Sequence, residues 1–346
     1  MKKFFMFAAM ASVALASCVK NEPVATVEQG DAILFNSPVV APATKADQVA
    51  YTGGDFNVYG YYSTADAYDG AGSVYINDAV FTEKSNSYFG GKNKTYFWPK
   101  NGHLNFVAYA PSAATGLTVD KETATDPAVT GPNALVLDYV VQNAADVDLL
   151  YSDWALKQTS ANYVTNFAYT GVDIAFHHAL SQVKFTVKGT AAAETAVVKV
   201  GAITLTGLVK EGSLNVPYNA AAAAWTPGSE TDTYTVSAAA ADAASATALT
   251  QAGSINKTFL LLPQALTNAV LNVTYYIPSD DPSGYTAQTT TIELDTAKDS
   301  ESHAIETWAK EISYNYTIVF DVNEVKLAPV VEADWTPVNS NVSQVL

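Results

Sequence analysis

Cysteine and arginine are nearly missing from this chain of 346 residues, which has one cysteine, Cys18, and no arginine. A single thiol excludes an internal disulfide and a cysteine metal cluster, so the hydrophobic core must hold the fold together. Hydrophobic residues make up 49% of the chain, which is enough for a large core. The 18 basic residues are all lysines, and 34 acidic residues bring the net charge to −16. Because such a surface repels nucleic acid, we expect no nucleic-acid partner.

Motifs of catalysis and metal binding are also missing from the sequence. It has no His-Glu-x-x-His, Gly-x-Ser-x-Gly or Walker-type Gly-Lys-Ser/Thr stretch. The adjacent His177 and His178 would point to opposite faces of a strand, so they cannot chelate one ion together. We therefore predict that the protein is not an enzyme and has no catalytic residue, metal site or cofactor.

The N-terminus has the pattern of a signal peptide. After a basic start, residues 4–16 form an uncharged apolar run, shorter than the roughly 20 residues of a membrane-spanning helix. The end of this run, Leu15–Cys18, resembles a bacterial lipobox. That resemblance implies cleavage before Cys18 and attachment of acyl chains, such as palmitate, to its thiol. A plain signal peptide with an incidental cysteine is the alternative. We predict a lipoprotein signal peptide at 1–17 and a polar tether at 18–30.

From residue 31 onward, short alternating segments between turn residues predict an all-β fold with few short helices. In "QVKFTVKG", for example, Val183, Phe185 and Val187 alternate with lysine and threonine, which is typical of a half-buried strand. The alanine-rich segment 237–253 is either a short helix or a surface loop. Since the β pattern is weakest just before Thr170, we predict a domain junction there.

Several stretches in a fixed order resemble one family. They are "TYFWPKNGHLNFVAYAP" (95–111), "DLLYSDW" (148–154), "VDIAFHHALSQVKFTV" (172–187), "TFLLLPQAL" (258–266) and "TWAKEISYNYTIVFDVNEVKLAPVVEADW" (307–335). On these residues the chain resembles the fimbrillin family, the type V pilus subunits of Bacteroidales-type bacteria, including the Mfa-like proteins. The resemblance covers most of the chain after the tether. It implies two tandem transthyretin-like β-sandwich domains, which we expect at 31–170 and 171–346.

The resemblance also implies a function. Family members are structural and adhesive subunits of a surface pilus that are exported as lipoproteins to the outer membrane. Their partners are other pilus subunits and, for some, a ligand on a host or bacterial surface. A protease cuts after the first strand, which then leaves so that a strand of a neighbouring subunit can take its position. Processing thus moves the protein from a surface-exposed lipid anchor into the fimbrium.

The segment "AILFNSPVV" (32–40) is the candidate exchanged strand, with Ile33 and Phe35 alternating with Leu34. The loop after it contains one basic residue, Lys45, so we predict cleavage between Lys45 and Ala46. The best-known family protease prefers arginine, and this loop has none, so an ordinary surface lysine is the alternative.

Without a cut, the protein would remain a lipid-anchored surface binding protein for a glycan or host protein and would not polymerise. The five tryptophans are either core anchors or platforms for sugars. The C-terminal segment 333–346 is either the donor strand for a neighbouring subunit or the closing strand of its own domain.

Overall fold

A computed structural model describes residues 31–41, 49–64, 72–84, 88–123, 132–142, 147–165, 168–169, 171–218, 222–280 and 282–334. The predicted signal peptide, Cys18, the tether, Lys45, Ala46 and residues 335–346 lie outside this part of the chain. The predicted all-β fold class is confirmed. Within these ranges the helical elements are α1 (Ala191–Thr195) and 3-10 turns at Ser160–Tyr163 and Leu294–Thr296. None of them has the length or the apolar character to span a bilayer.

The strands are short to medium in length. The first thirteen are β1 (Val39–Val40), β2 (Val49–Ala50), β3 (Phe56–Ser63), β4 (Ser73–Glu83), β5 (Phe89–Gly91), β6 (His103–Ala110), β7 (Leu117–Thr123), β8 (Pro132–Val140), β9 (Leu150–Ser152), β10 (Ala155–Gln158), β11 (Val164–Thr165), β12 (Ala168–Tyr169) and β13 (Ala175–His178).

Of the remaining strands, β14 directly precedes α1 and the others follow it. They are β14 (Ser181–Gly189), β15 (Lys199–Val209), β16 (Glu211–Pro217), β17 (Ala224–Pro227), β18 (Thr231–Ser237), β19 (Thr247–Ala248), β20 (Ile255–Leu261), β21 (Val270–Pro278), β22 (Tyr285–Glu293), β23 (Ile312–Phe320), β24 (Val325–Leu327) and β25 (Val331–Asp334).

These strands form four sheets and the ribbon β11-β12 in the described part of the chain. Sheet I has the order β2-β1-β13-β9-β6-β3-β4-β5, with β10 also paired to β6. Sheet II is β7-β8-β16-β17, and sheet III is β20-β14-β23, with β24 and β25 beside β23. Sheet IV is β18-β15-β21-β22, with β19 also paired to β15.

Strands from both sides of the predicted junction near Thr170 pair with each other. In sheet I, β13 pairs antiparallel with β9. In sheet II, β16 pairs with β8 over seven residue pairs. Strand pairing alone does not delimit a domain, so the boundaries 31–170 and 171–346 stay a prediction.

Alternating side chains build two hydrophobic cores. One face of sheet I buries a cluster that includes Phe56, Phe106 and Phe176. The other face contributes Tyr109 to a larger core shared with sheets II, III and IV. The alternation predicted for β14 is confirmed, because its valines and Phe185 are buried while its lysines and threonine are half-buried. Sheets III and IV thus pack over one core, as the layers of a sandwich do.

The alanine-rich segment 237–253 is a loop with the two-residue strand β19 rather than a helix. A turn accounts for this: the backbone N–H of Ser245 donates to Oδ1 of Asp242 at 2.8 Å, and the Ser245 hydroxyl donates to the same oxygen. Such local side-chain bonds compete with helical ones. Leu249 then turns into the core and fixes the end of the loop.

A charged cluster joins sheet I to the start of β23. Nε2 of His177 lies 3.1 Å from the Asp153 carboxylate, and Nδ1 lies 3.6 Å from Oε1 of Glu311. Lys310 pairs with the same glutamate oxygen at 2.5 Å. The His177 ring also stacks on Tyr151, with 5.4 Å between ring centroids. Because Glu311 is only 6% exposed, its charge depends on these two cations.

The cluster shifts the pKa values of its members in opposite directions. The hydrogen bond to Asp153, followed by the Glu311 carboxylate, raises the pKa of His177 from 6.5 to about 9. Burial on its own would raise the pKa of Glu311, but His177 and Lys310 outweigh burial and lower that pKa from 4.5 to about 2. Both groups are therefore charged between pH 4.5 and 6.5, where the ion pair stabilises the folded state fully.

We predict that the free energy of unfolding falls by roughly 1–3 kcal/mol as the pH rises from 6.5 to 9. The folded state keeps the His177 proton over this range while the unfolded state releases it. A second loss follows on the acid side, between pH 4.5 and 2, as Glu311 takes up a proton. Urea denaturation at a series of pH values measures both limbs.

In this prediction, His177→Gln removes most of the alkaline loss. The matched control is His303→Gln, because the His303 side chain is 71% exposed on the surface. An alkaline limb that persists unchanged in His177→Gln would contradict the assignment.

Candidate strand-exchange groove

The segment 31–41 lies between β5 and the residues that follow it on one side, and β13 and the residues that precede it on the other. On one side the N–H of Ile33 donates to the carbonyl of Tyr96 at 2.8 Å, and Phe35 and Phe89 exchange two bonds of 2.9 Å. On the other side Asn36 donates to the carbonyl of Val172 at 2.9 Å, and β1 continues parallel to β13. The segment therefore has hydrogen-bonded neighbours along both edges, as an inner strand does.

The side chains of this segment alternate between the core and the outside. Ile33 and Phe35 are 1% and 0% exposed, whereas Leu34 and Asn36 are half-buried. The Phe35 ring makes edge-on contacts with Phe81 and Phe106, at centroid distances of 5.0 and 5.3 Å. A third such contact joins it to Phe56 at 6.0 Å. Phe35 thus occupies the centre of the aromatic core of sheet I.

The local sequence explains the path of the segment. Pro38 has no N–H and interrupts the strand before β1, while its carbonyl accepts a bond from the N–H of Tyr51 at 2.8 Å. Gly171 has a φ of +70°, and a Cβ there would come within 2.7 Å of the Asn36 side chain. The Asn36 amide also donates to Asp173 at 2.5 Å, which fixes the parallel register.

Removal of the segment would leave a groove with two free strand edges and an apolar floor. The edges belong to residues 89–97 and 172–176, and the floor is the ring cluster around Phe106. Free N–H and C=O groups on both edges can bind one extended peptide, and the apolar floor selects its side chains. The sequence pattern predicted a strand over 32–40, whereas the structure has isolated bridges at Ala32 and Phe35 and a strand at Val39–Val40. The two edges beside this segment were not predicted, although "TYFWP" (95–99) and "VDIAF" (172–176) contain part of each.

The predicted lipidation residue, Cys18, and the predicted processing residues, Lys45 and Ala46, lie outside the described residues. The strands that flank Lys45 in the chain, β1 and β2, pair with each other through Val39 with Ala50 and Val40 with Val49. The two ends of the loop are thereby held side by side at one end of sheet I.

The tryptophans in the described ranges have structural contacts. Trp98 and Trp308 are 4% and 2% exposed. Trp154 and Trp225 are half-buried, and their indole N–H groups donate to the carbonyls of Val216 and Ala179. A pocket of about 190 Å³ is lined by Asp153, Trp154, Leu156, Val216, Pro217, Tyr218 and Ala223. Across the described residues, no group of three or more His, Cys, Asp or Glu side chains could hold a metal ion.

We predict that Phe35→Ala lowers the free energy of unfolding by about 3–5 kcal/mol, because it removes a fully buried ring from a packed aromatic core. Leu34→Ala is the matched control, since it shortens the neighbouring side chain on the half-buried side of the same strand. We expect the control to change stability by about 1 kcal/mol. Urea denaturation followed by tyrosine and tryptophan fluorescence measures both, and equal losses would contradict the central position of Phe35.

Comparisons with known proteins agree with this architecture. A family model described as fimbrillin-like matches residues 44–335. A structure of a fimbrial protein from Bacteroides vulgatus is similar with a TM-score of 0.52 at 17% identity, over 81% of this chain and 93% of that one. A protein assigned to cell adhesion from Bacteroides uniformis also gives 0.52, at 16% identity, over 88% and 98% of the two chains.

A protein with the same assignment from Bacteroides ovatus gives 0.51 at 16% identity, over 89% and 99%. These structural similarities show the fold alone. A comparison with curated proteins gives no match. Since the family model spans most of the sequence, the chain belongs to the fimbrillin-like family.

Proposed function

We propose that this protein is a structural and adhesive subunit of a surface pilus, and that it assembles by exchange of the segment 31–41. The observation that carries the proposal is the position of Phe35, in a segment that is hydrogen-bonded along both edges and packed at the centre of an aromatic core. When such a segment is removed, it leaves a complete binding site for another extended strand. Membership of the fimbrillin-like family supports the pilus role.

Exchange needs an incoming strand, because removal of the segment 31–41 alone raises the free energy of the folded protein. Burial of Phe35 and Ile33 contributes about 1.5–3 kcal/mol each, and the backbone bonds to both neighbouring strands add to this. An incoming strand that makes the same backbone bonds and fills the same two sites offsets the loss. A cut in the loop therefore permits exchange without driving it, and the intact segment keeps the groove closed during export.

The proposal divides the chain into functional parts. Residues 1–17 direct export, and lipid on Cys18 anchors the chain to the outer membrane through the tether at 18–30. After cleavage between Lys45 and Ala46, the anchor and the first strand separate from the rest, which enters the fimbrium. The folded body is proposed to consist of two β-sandwich domains.

We predict that mature protein from assembled pili begins at Ala46 and that Lys45→Gln abolishes both this N-terminus and polymerisation. The variant removes the only lysine of the loop, which a trypsin-like protease would need. Mass spectrometry of the N-terminal peptide, together with electrophoresis of unboiled samples, gives the two readouts. The control is Lys100→Gln, because Lys100 is an exposed lysine between β5 and β6, outside the loop that contains Lys45.

A lipidated Cys18 as the sole N-terminus would overturn exchange at this site. The protein would then be a permanently anchored binding protein, the second function that the sequence allowed. The pocket beside Trp154 and Tyr218 is the described feature that favours this second function, since its aromatic walls and the Asp153 carboxylate suit a sugar ring.

The donor strand is proposed to lie at the C-terminus, beyond β25. β25 itself pairs with β23 from Ile312 to Asn315, so the chain up to Asp334 contributes to its own sheet III. We predict that deletion of residues 337–346 stops polymerisation and leaves the midpoint of thermal unfolding of the monomer unchanged. A large fall in that midpoint would instead assign these residues to the fold of their own domain.

A further inference from the structure

Strand β22 leaves one long edge of sheet IV open. Its nine residues, Tyr285–Glu293, all pair with β21 in an unbroken antiparallel register. No described strand pairs with its other edge. Every second residue of β22 therefore turns an N–H and a C=O group outward, where another strand can pair with them.

The other long strands at sheet ends have features that hinder pairing. β18 carries Asp232, and its register with β15 shifts twice. β20 carries Lys257, and β7 carries Asp120. Charged residues and bulges of this kind protect sheet edges from association. β22 has no lysine, proline or bulge, and its one charged residue, Glu293, is the last.

The sequence of β22 is complementary to itself. When two copies run antiparallel about a two-fold axis through Thr289, Thr289 faces its own copy and Ala287 faces Thr291 on the exposed face. Tyr285 then faces Glu293 of the other copy. Threonine pairs favour antiparallel sheets, and no two like charges lie opposite each other in this register.

A lysine adds charge complementarity at both ends of this pairing. The Lys199 ammonium lies 4.7 Å from the centroid of the Tyr285 ring. Because Tyr285 would face Glu293 of the second copy, each glutamate would lie beside a lysine of the opposite chain. The two-fold symmetry makes this contact twice.

We propose that β22 pairs antiparallel with β22 of a second copy, about a two-fold axis through Thr289, and so joins two copies of sheet IV into one sheet. This association does not depend on exchange of the segment 31–41, because β22 is part of sheet IV in the single chain. One strand pair is a small interface, so the dimer is weak and is favoured where copies are concentrated on a surface.

Charge-swap variants test the proposal in the full chain. Sedimentation equilibrium in density-matched detergent, over a concentration series, gives the dissociation constant of the dimer. Thr289→Lys places two lysines opposite each other and Thr289→Glu two glutamates, so we expect each variant alone to weaken the dimer at least about tenfold. An equimolar mixture of the two restores a dimer, because opposite charges then meet at the axis.

Thr235→Lys is the matched control, since Thr235 is an exposed threonine on β18 at the opposite end of sheet IV. We expect it to leave the dissociation constant unchanged, and urea denaturation checks that every variant is folded. A wild-type chain that stays monomeric at all concentrations overturns the proposal. So does a dimer that Thr289→Lys leaves intact, or a mixture of the two Thr289 variants that does not associate.

Discussion

The pairing of the segment 31–41 along both of its edges is the interaction on which the rest of sheet I depends. Its hydrogen bonds to residues 89–97 and to 172–176 connect β5, at one end of the sheet, to the chain around β13, which is far from it in the sequence. Phe35 projects from this segment into the rings of Phe56, Phe81 and Phe106. The backbone hydrogen bonds between β5 and the chain around β13, and the packing of the aromatic core, therefore both depend on the same few residues.

The segment 31–41 precedes the predicted cleavage site in the chain. Its last part, β1, pairs with β2 on the other side of that site. A chain with one cysteine has no disulfide that would retain the strand after a cut. After the proposed cut, its retention would rest on hydrogen bonds and burial alone, which the incoming strand of the proposed exchange would replace.

Local patterns predicted the parts of the fold that local chemistry determines. The alternation of β14, and that of Ile33 and Phe35 with Leu34, follow from a two-residue period. The structure then shows that Ile33 and Phe35 are on the buried side. The pairing of Asn36 with Val172, or of β8 with β16, could not be predicted, because it joins residues that are distant in sequence and share no local signal. The segment 237–253 illustrates a further limit. Its alanines favour a helix, but the bonds between Ser245 and Asp242 stabilise a turn instead.

The same unpaired backbone chemistry has different consequences at the groove and at β22. In the groove, an apolar floor and two edges enclose the bound strand, so side chains determine which strand fits. At β22 there is one edge and a polar threonine surface, so the register of the proposed dimer depends on symmetry and on the approach of Glu293 to the Lys199 of the second copy, which lies over Tyr285 in each chain. In the proposed assembly, the groove joins unlike segments strongly and in one direction, whereas the β22 edge joins like ones weakly. A surface chain with a net charge of −16 repels its copies at long range. Contacts between copies are thus confined to places where backbone groups or opposite charges outweigh that repulsion. The open edge of β22 is one such place, and the groove becomes another only when the segment 31–41 leaves it.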